Sequence, residues 1–297
     1  MTDYGHQITF GLSLYPSVDL LQETKQLAQA ADAAGFEYLA IQDHAYNPDF
    51  LDAWTLITYL AAETDRISFF PDVADLQLRP PTILAKAAAS LSVLTGGRIA
   101  LGVGGGASAA GIAAMGGARR SREMVAFTDE ALKIMRLALA GGAVEFRGSQ
   151  HTIGGYSAGP VPPATVPLWL GSNGPRMLAL TGRSADGWIS PLNTYVTPAA
   201  VPARQQLIDE AARSAGRDPA AVRRIHNVVG AARGGPGLTG GVQAWVDALA
   251  DWSVDLGFDT YVFWPTTAPL AQLELFATEV VSGVRQRVTE RRAARST

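Results

Sequence analysis

The strongest constraint on this chain is an alternation that occurs eight times: a short β-branched or aromatic run, then an Ala/Leu-rich stretch with helical spacing. Ile8 to Leu14 reads as the first strand and Val18 to Ala34 as its helix, with Leu20, Leu21, Leu27 and Ala31 on one face and Gly35 as its stop. Tyr38 to Gln42 with Trp54 to Ala62, and Ile67 to Val73 with Pro81 to Leu94, form the next two units. Arg98 to Val103 is the fourth strand, followed by a glycine-rich stretch and a helix over Arg122 to Ala140. Leu168 to Gly171 with Pro175 to Gly182, Gly187 to Pro191 with Val201 to Ala215, His226 to Ala231 with Val242 to Leu256, and Thr260 to Trp264 with Leu270 to Arg287 complete the set. Eight βα units within 297 residues predict an α/β chain folded as a (β/α)8 barrel, one domain over residues 1–297. Gly141 to Pro167 breaks the alternation and reads as an inserted hairpin and a proline-rich crossing, so the barrel carries loop insertions after its fourth strand and before its fifth.

Composition narrows the partners. Lys and Arg number 24 against 27 Asp and Glu, a net charge of −3, so no strong field draws the chain to nucleic acid. With no cysteine there is neither a disulfide, nor a thiolate metal site, nor a cysteine nucleophile, which suits a reducing cytoplasm. Met1 to His6 lacks the basic and apolar regions of a secretion signal, and no 18-residue apolar run predicts a membrane span. Arg285 to Arg295 reads as the solvated face of the last helix with a frayed tail.

Active sites of such barrels lie at the C-terminal ends of the strands, so the polar residues there carry the functional reading. After the second strand stand Asp43 and His44, an acid and an imidazole suited to proton transfer. After the third, Asp72, Val73 and Asp75 place two carboxylates three apart; none of the four histidines has ligand spacing, so no metal is expected. After the fourth, Gly104, Gly105, Gly106 and Ala107 let backbone amides approach an anion. After the fifth, Ser172, Asn173, Gly174 and Pro175 lead into a helix N-terminus that can face a phosphate. A dinucleotide fingerprint at Gly102 to Ala107 lacks its downstream acid, and a nucleophile elbow at Ser108, with Asp186 and His226 in hydrolase order, has alanine at its fifth position.

Taken in order, Ile41-Gln42-Asp43-His44, Thr64-Asp65-Arg66-Ile67, Leu78-Arg79-Pro80-Pro81, Gly96 to Gly106, Ala185 to Ile189 and Gly257 to Pro265 resemble the bacterial luciferase-like flavin and deazaflavin oxidoreductases over nearly the whole chain. The resemblance implies a (β/α)8 barrel that is often a homodimer. Within that family the Asp43-His44 pair and the Gly174-Pro175 turn resemble the branch using the deazaflavin coenzyme F420, with the acid and imidazole beside the ring. It implies a non-prolyl cis peptide at Asp72-Val73, catalysis by His44 with Asp43 orienting it, and cofactor contacts from Asp43, Asp72, Val73, Gly104 to Ala107 and Ser172 to Pro175. The expected reaction is hydride transfer between C5 of F420 and a small hydrophobic substrate, an alcohol/carbonyl or activated alkene.

Ala107, Ala110, Pro48 and Thr194 stand where the sugar-phosphate dehydrogenases of this branch have a glutamate, an asparagine, a tryptophan and a phosphate-binding lysine, which argues against a sugar phosphate. The alternatives are an FMN-dependent monooxygenase fed by a separate flavin reductase, and a cofactor-binding barrel without catalysis. Ser13, Tyr15, Tyr46, Trp188, Asn193 and Trp264 are expected at the mouth as substrate contacts, and Arg119, Arg120 and Arg122 near an anionic cofactor tail.

Overall fold

The computed structural model describes residues 3–117, 122–234 and 237–296; Arg119 and Arg120 lie outside them. In chain order the elements are β1 (Thr9–Leu14), α1 (Leu21–Ala33), β2 (Tyr38–Ile41), α2 (Ala53–Ala61), β3 (Ser68–Pro71), β4 (Ala74–Asp75), α3 (Pro81–Thr95), β5 (Leu101–Gly104), α4 (Ala109–Ala114) and α5 (Met124–Ala140). There follow β6 (Gly142–Arg147), β7 (Thr152–Ala158), β8 (Leu168–Gly171), α6 (Pro175–Ser184), β9 (Gly187–Ser190), α7 (Val201–Ser214), β10 (Arg223–Gly230) and α8 (Gly241–Leu256). The chain ends with β11 (Thr260–Pro265), α9 (Pro269–Leu275), a π-helical turn (Phe276–Val280) and α10 (Val281–Ser296).

All strands but the β6–β7 hairpin pair in parallel in the order β3-β2-β1-β11-β10-β9-β8-β5-β4. This is the predicted barrel with its third strand in two pieces: β3 lies on β2 and β4 on β5, and between them the Asp72-Val73 peptide is cis. The ring closes where Phe69 bridges Ile99, its N–H donating to the Arg98 carbonyl (3.1 Å) and its carbonyl accepting from Ala100 N–H (2.9 Å).

Alternation along each strand separates two cores. Phe70, Trp169, Ile189, Ile225 and Val262 fill the barrel interior. Leu12, Leu14, Leu39, Leu168 and Trp188 point outward into the layer shared with the helices. Burying each such leucine contributes about 1.5–3 kcal/mol. On β5 the side chain must be absent: a Cβ at Gly102 would lie 2.3 Å from the Pro71 carbonyl oxygen.

Helix ends follow their local chemistry. Asp52 caps α2 by accepting from Thr55 N–H (2.9 Å), and α3 starts on Pro81 and stops at Gly96 with φ of 68°. Three features depart from the sequence reading. The glycine-rich stretch holds α4, capped by Ser108 accepting from Gly111 N–H (3.1 Å). The seventh barrel strand begins at Arg223, whose Nε donates to Asp259 (2.8 Å), rather than at His226. The terminal arginines lie on a solvent-facing side of the last helix, as expected, but the end is not frayed: Arg285 binds Glu37 (2.6 Å), Arg292 binds Asp3 (2.8 Å), and Arg291 and Arg295 bind Asp255. They tie α10 to the bottom of the barrel and to α8.

Candidate active site

The C-terminal mouth of the barrel holds a cavity of ≈ 330 Å³. Its wall is built from the residues that leave β2, both pieces of the third strand, β5, β8 and β9. Asp43, His44, Asp72, Val73, Asp75, the run Gly104 to Ala107 and Ser172 all face it. Ile189, Leu192, Tyr195 and Trp264 supply apolar surface, and Asn227 of β10 a polar group. The lining among the described residues includes neither lysine nor arginine.

Asp43 is buried and closes onto Arg79, whose Nε and terminal nitrogen each donate to one carboxylate oxygen at 2.7 Å. Arg79 also donates to Asp52, and Asp75 N–H donates to Asp43 at 3.2 Å. Burial works against the Arg79 cation, but the two aspartates hold its pKa well above the usual arginine value. Arg79 was missed as a site residue; its signal was an arginine just ahead of a proline-started helix, facing two acids that the fold, not the spacing, brings together.

His44 is oriented by Tyr46, not by Asp43: its Nδ1 lies 2.8 Å from the tyrosine hydroxyl. Tyr46 in turn packs beneath α4, where a Cβ at Gly111 would come within 2.4 Å of its ring. Asp72 and Asp75, which line the same cavity, each have one buried carboxyl oxygen without a hydrogen-bond partner. Burial raises the Asp72 pKa to about 7, only partly offset by Asn227. Burial raises Asp75 as well, and the nearby Asp43 charge adds to the rise, while Gln77 N–H donating to it (2.8 Å) works the other way.

The remaining expected residues divide. Asn173, Gly174 and Pro175 lie past the cavity at the start of α6, which begins without a side-chain cap; Asn173 accepts from Arg204 (2.9 Å). Ser13 and Tyr15 line a smaller neighbouring cavity of ≈ 240 Å³ that shares Trp264 with the main one. Asn193 ties its loop to β10, accepting from Val229 N–H (3.0 Å). Trp188 does not reach the mouth. Its neighbour Ile189 points inward, so Trp188 points outward, fully buried, stacked on Phe258 with Nε1 donating to the Ser172 carbonyl (2.9 Å). Leu192 and Tyr195, from the loop after β9, were not anticipated.

The hydrolase order fails in space. Ser108 caps α4 at the top of the barrel, Asp186 binds Arg136 just before β9 at the bottom, and His226 is buried against Phe258 (4.2 Å between rings). Among the described residues no group of three or more His, Asp or Glu is placed to hold a metal ion, and no helix is long and apolar enough to cross a membrane.

The sequence profile of the luciferase-like monooxygenases matches residues 3–233. The chain belongs to the luciferase-like monooxygenase family. One relative in this family, 5,10-methylenetetrahydromethanopterin reductase of Methanolobus tindarius, is 32% identical over 216 residues, covering 71% of this chain and 62% of its own length. The chain thus spans less than two thirds of that curated relative. Among solved structures, the coenzyme F420-dependent tetrahydromethanopterin reductase of Methanopyrus kandleri superposes with a TM-score of 0.81 at 20% identity, covering 93% of this chain and 99% of its own. An F420-dependent secondary alcohol dehydrogenase in complex with an F420-acetone adduct gives 0.81 at 17% identity over 94% and 99%. Both likenesses show the barrel fold.

Proposed function

We propose that this chain is an F420-dependent oxidoreductase acting on a small, largely apolar alcohol/carbonyl or activated-alkene substrate. The observation that carries the reading is the meeting of a tyrosine-held imidazole and two buried, unpaired carboxyl oxygens on one wall of the barrel mouth. The F420-dependent reductase and alcohol dehydrogenase that share the fold support the same cofactor. The donor set fits a planar, carbonyl-bearing heterocycle with a phosphorylated tail. Asp72 and Asp75 offer unpaired carboxyl oxygens, Gly104 to Gly106 bring the main chain to the wall, and α6 opens uncapped nearby.

Coenzyme F420, when bound, supplies or accepts a hydride at its C5. Tyr46 occupies Nδ1 of His44, so the ring's proton chemistry at the substrate oxygen is assigned to Nε2. The Arg79 clamp fixes Asp43 as an immobile part of the wall. Val73, Ile189, Leu192 and Trp264 exclude water and select an apolar substrate. Without a basic residue in the lining among the described residues, the cavity does not suit a phosphorylated substrate.

The test is a fluorescence titration of the purified protein with F420 and, in parallel, with FMN. Micromolar or tighter binding of F420 over FMN, with His44→Ala holding that affinity within severalfold while turnover is lost, supports the reading. Preference for FMN moves the chain to monooxygenase chemistry, and turnover that survives His44→Ala removes the histidine from the mechanism.

A further inference from the structure

Asp72 is a second acid on the cavity wall that the role given to His44 leaves unused. Its backbone is fixed: the N–H donates to the Ile41 carbonyl at 2.7 Å. Its Oδ2 is buried with no hydrogen-bond partner, and the neutral side chain of Asn227, which hydrogen-bonds the carboxyl, only partly offsets the effect of burial. That amide is itself engaged, donating from Nδ2 to the Ser190 carbonyl (3.2 Å) and accepting at Oδ1 from Trp264 Nε1 (2.7 Å).

Among the described residues, the charges facing the same cavity give no cation to Asp72. Arg79 is clamped between Asp43 and Asp52, Asp75 is a further acid, and His44 is turned to Tyr46. A carboxyl among acids, out of water and without a cation is favoured in its neutral form. A neutral carboxyl carries one O–H donor, and a buried donor is stable only with an acceptor.

We propose that Asp72 is a ligand-recognition residue: its neutral carboxyl donates a hydrogen bond into the cavity, to a ring carbonyl oxygen of the bound cofactor's pyrimidinedione. This rests on the cofactor reading above. The acceptor is common to deazaflavins and flavins, so the inference concerns the ring and not the tail. It makes cofactor affinity depend on proton occupancy of one residue, since ionisation of Asp72 replaces a donor with a charge that repels the carbonyl.

The experiment is the dissociation constant of F420, with FMN in parallel, measured by fluorescence from pH 6 to 8.5 for the wild type, Asp72→Asn and Asp72→Ser. Asparagine keeps a neutral N–H donor of the same reach but cannot titrate, so the ratio of the two proteins' constants cancels any titration of the ligand. The expected ratio of wild type to Asp72→Asn rises about tenfold per pH unit once the acid ionises. Asp72→Ser, which shortens the reach, binds several-fold more weakly than Asp72→Asn at every pH. In the ligand-free protein the infrared band of a protonated carboxylic acid disappears between pH 6 and 8.5 in the wild type and is missing from Asp72→Asn. A flat ratio, or an Asp72→Ser that binds like Asp72→Asn, overturns the role of Asp72 while leaving the cofactor assignment intact. Failure of the wild type to bind either ring at any pH overturns both, and preference for FMN with a rising ratio overturns only the choice of F420.

Discussion

Arg79 is the cation on which the acidic wall depends, and Arg79→Leu tests that dependence. Its guanidinium makes two 2.7 Å charge-assisted bonds to Asp43, whose side chain is only 2% exposed, and a third bond to Asp52. Leucine preserves much of the stem volume but leaves the Asp43 carboxylate buried, with the Asp75 amide as its remaining donor and the Asp75 carboxyl close by. Removing one partner of a buried pair costs about 3–5 kcal/mol, against about 5–15 kcal/mol for the whole fold. At about 2–4 °C per kcal/mol for chains of this order, the melting temperature falls by roughly ten degrees. Asp43→Asn in the Arg79→Leu background removes the stranded charge and restores at least about 2 kcal/mol, because Asp52 still caps α2 through Thr55. Urea unfolding followed by circular dichroism, with all four proteins of the cycle, reads both numbers. An Arg79→Leu loss below about 1 kcal/mol, the value of an exposed pair, refutes the argument. So does a double variant no more stable than Arg79→Leu.

Further expectations concern other parts of the barrel. In Gly102→Ala the new methyl meets the Pro71 carbonyl oxygen at 2.3 Å, so thermal melts should show a loss of at least about 1–3 kcal/mol. Gly171→Ala, which meets only the Val73 methyls at 3.1 and 3.2 Å, should be milder; equal melts would count against the close approach of β5 to β3. His226 is held neutral by burial, its pKa pushed down to about 3. The unfolded chain takes up that proton below about pH 6.5, so wild-type stability falls toward acid by up to about 1.4 kcal/mol per pH unit. His226→Phe flattens this acid limb, and parallel limbs would show that His226 does not set it. Glu130 is opposed by burial, yet the backbone N–H groups of Gln150, Ser149 and His151 hold its pKa down. Its contribution is therefore full above the unfolded value and lost as pH falls through the lower folded one. The stability gap to Glu130→Gln should be widest near pH 7 and shrink below about pH 4.

The barrel was legible because its signal is periodic: eight alternations survive small errors of boundary, and all eight strands begin within three residues of where the pattern put them. What the pattern missed was decided by groups distant in sequence. Helix α4 sits in a glycine-rich stretch with little intrinsic propensity and is held by the Ser108 cap and by Tyr46 packed against Gly111. The pairing of the terminal arginines escaped the pattern because Glu37, Asp3 and Asp255, their partners, lie far away along the chain. At the mouth, His44 was visible as an imidazole at a strand end, whereas its bond to Tyr46 depends on how the β2–α2 loop turns. Trp188 was misplaced by counting residues near a strand end without counting parity. Ile189 packs inside the barrel, and that alone sends its neighbour to the helix layer.

The same parity argument explains why the acids converge. Residues three apart on an unbroken strand point to opposite faces, so Asp72 and Asp75 would be divided between the barrel mouth and the helix layer. The third barrel strand is instead two pieces, with β3 ending at Pro71 and β4 resuming at Ala74 on the other neighbour, and both carboxyls face the cavity that Asp43 also lines. Three acids around one volume need either three cations or the loss of charge. The structure supplies Arg79 to Asp43, and burial raises the pKa of the other two. A clamped carboxylate at Asp43 and a buried carboxyl at Asp72 then make a wall that favours an acceptor-bearing ring over an anionic one. That preference follows from where the strand is interrupted, independently of which substrate the cavity turns over.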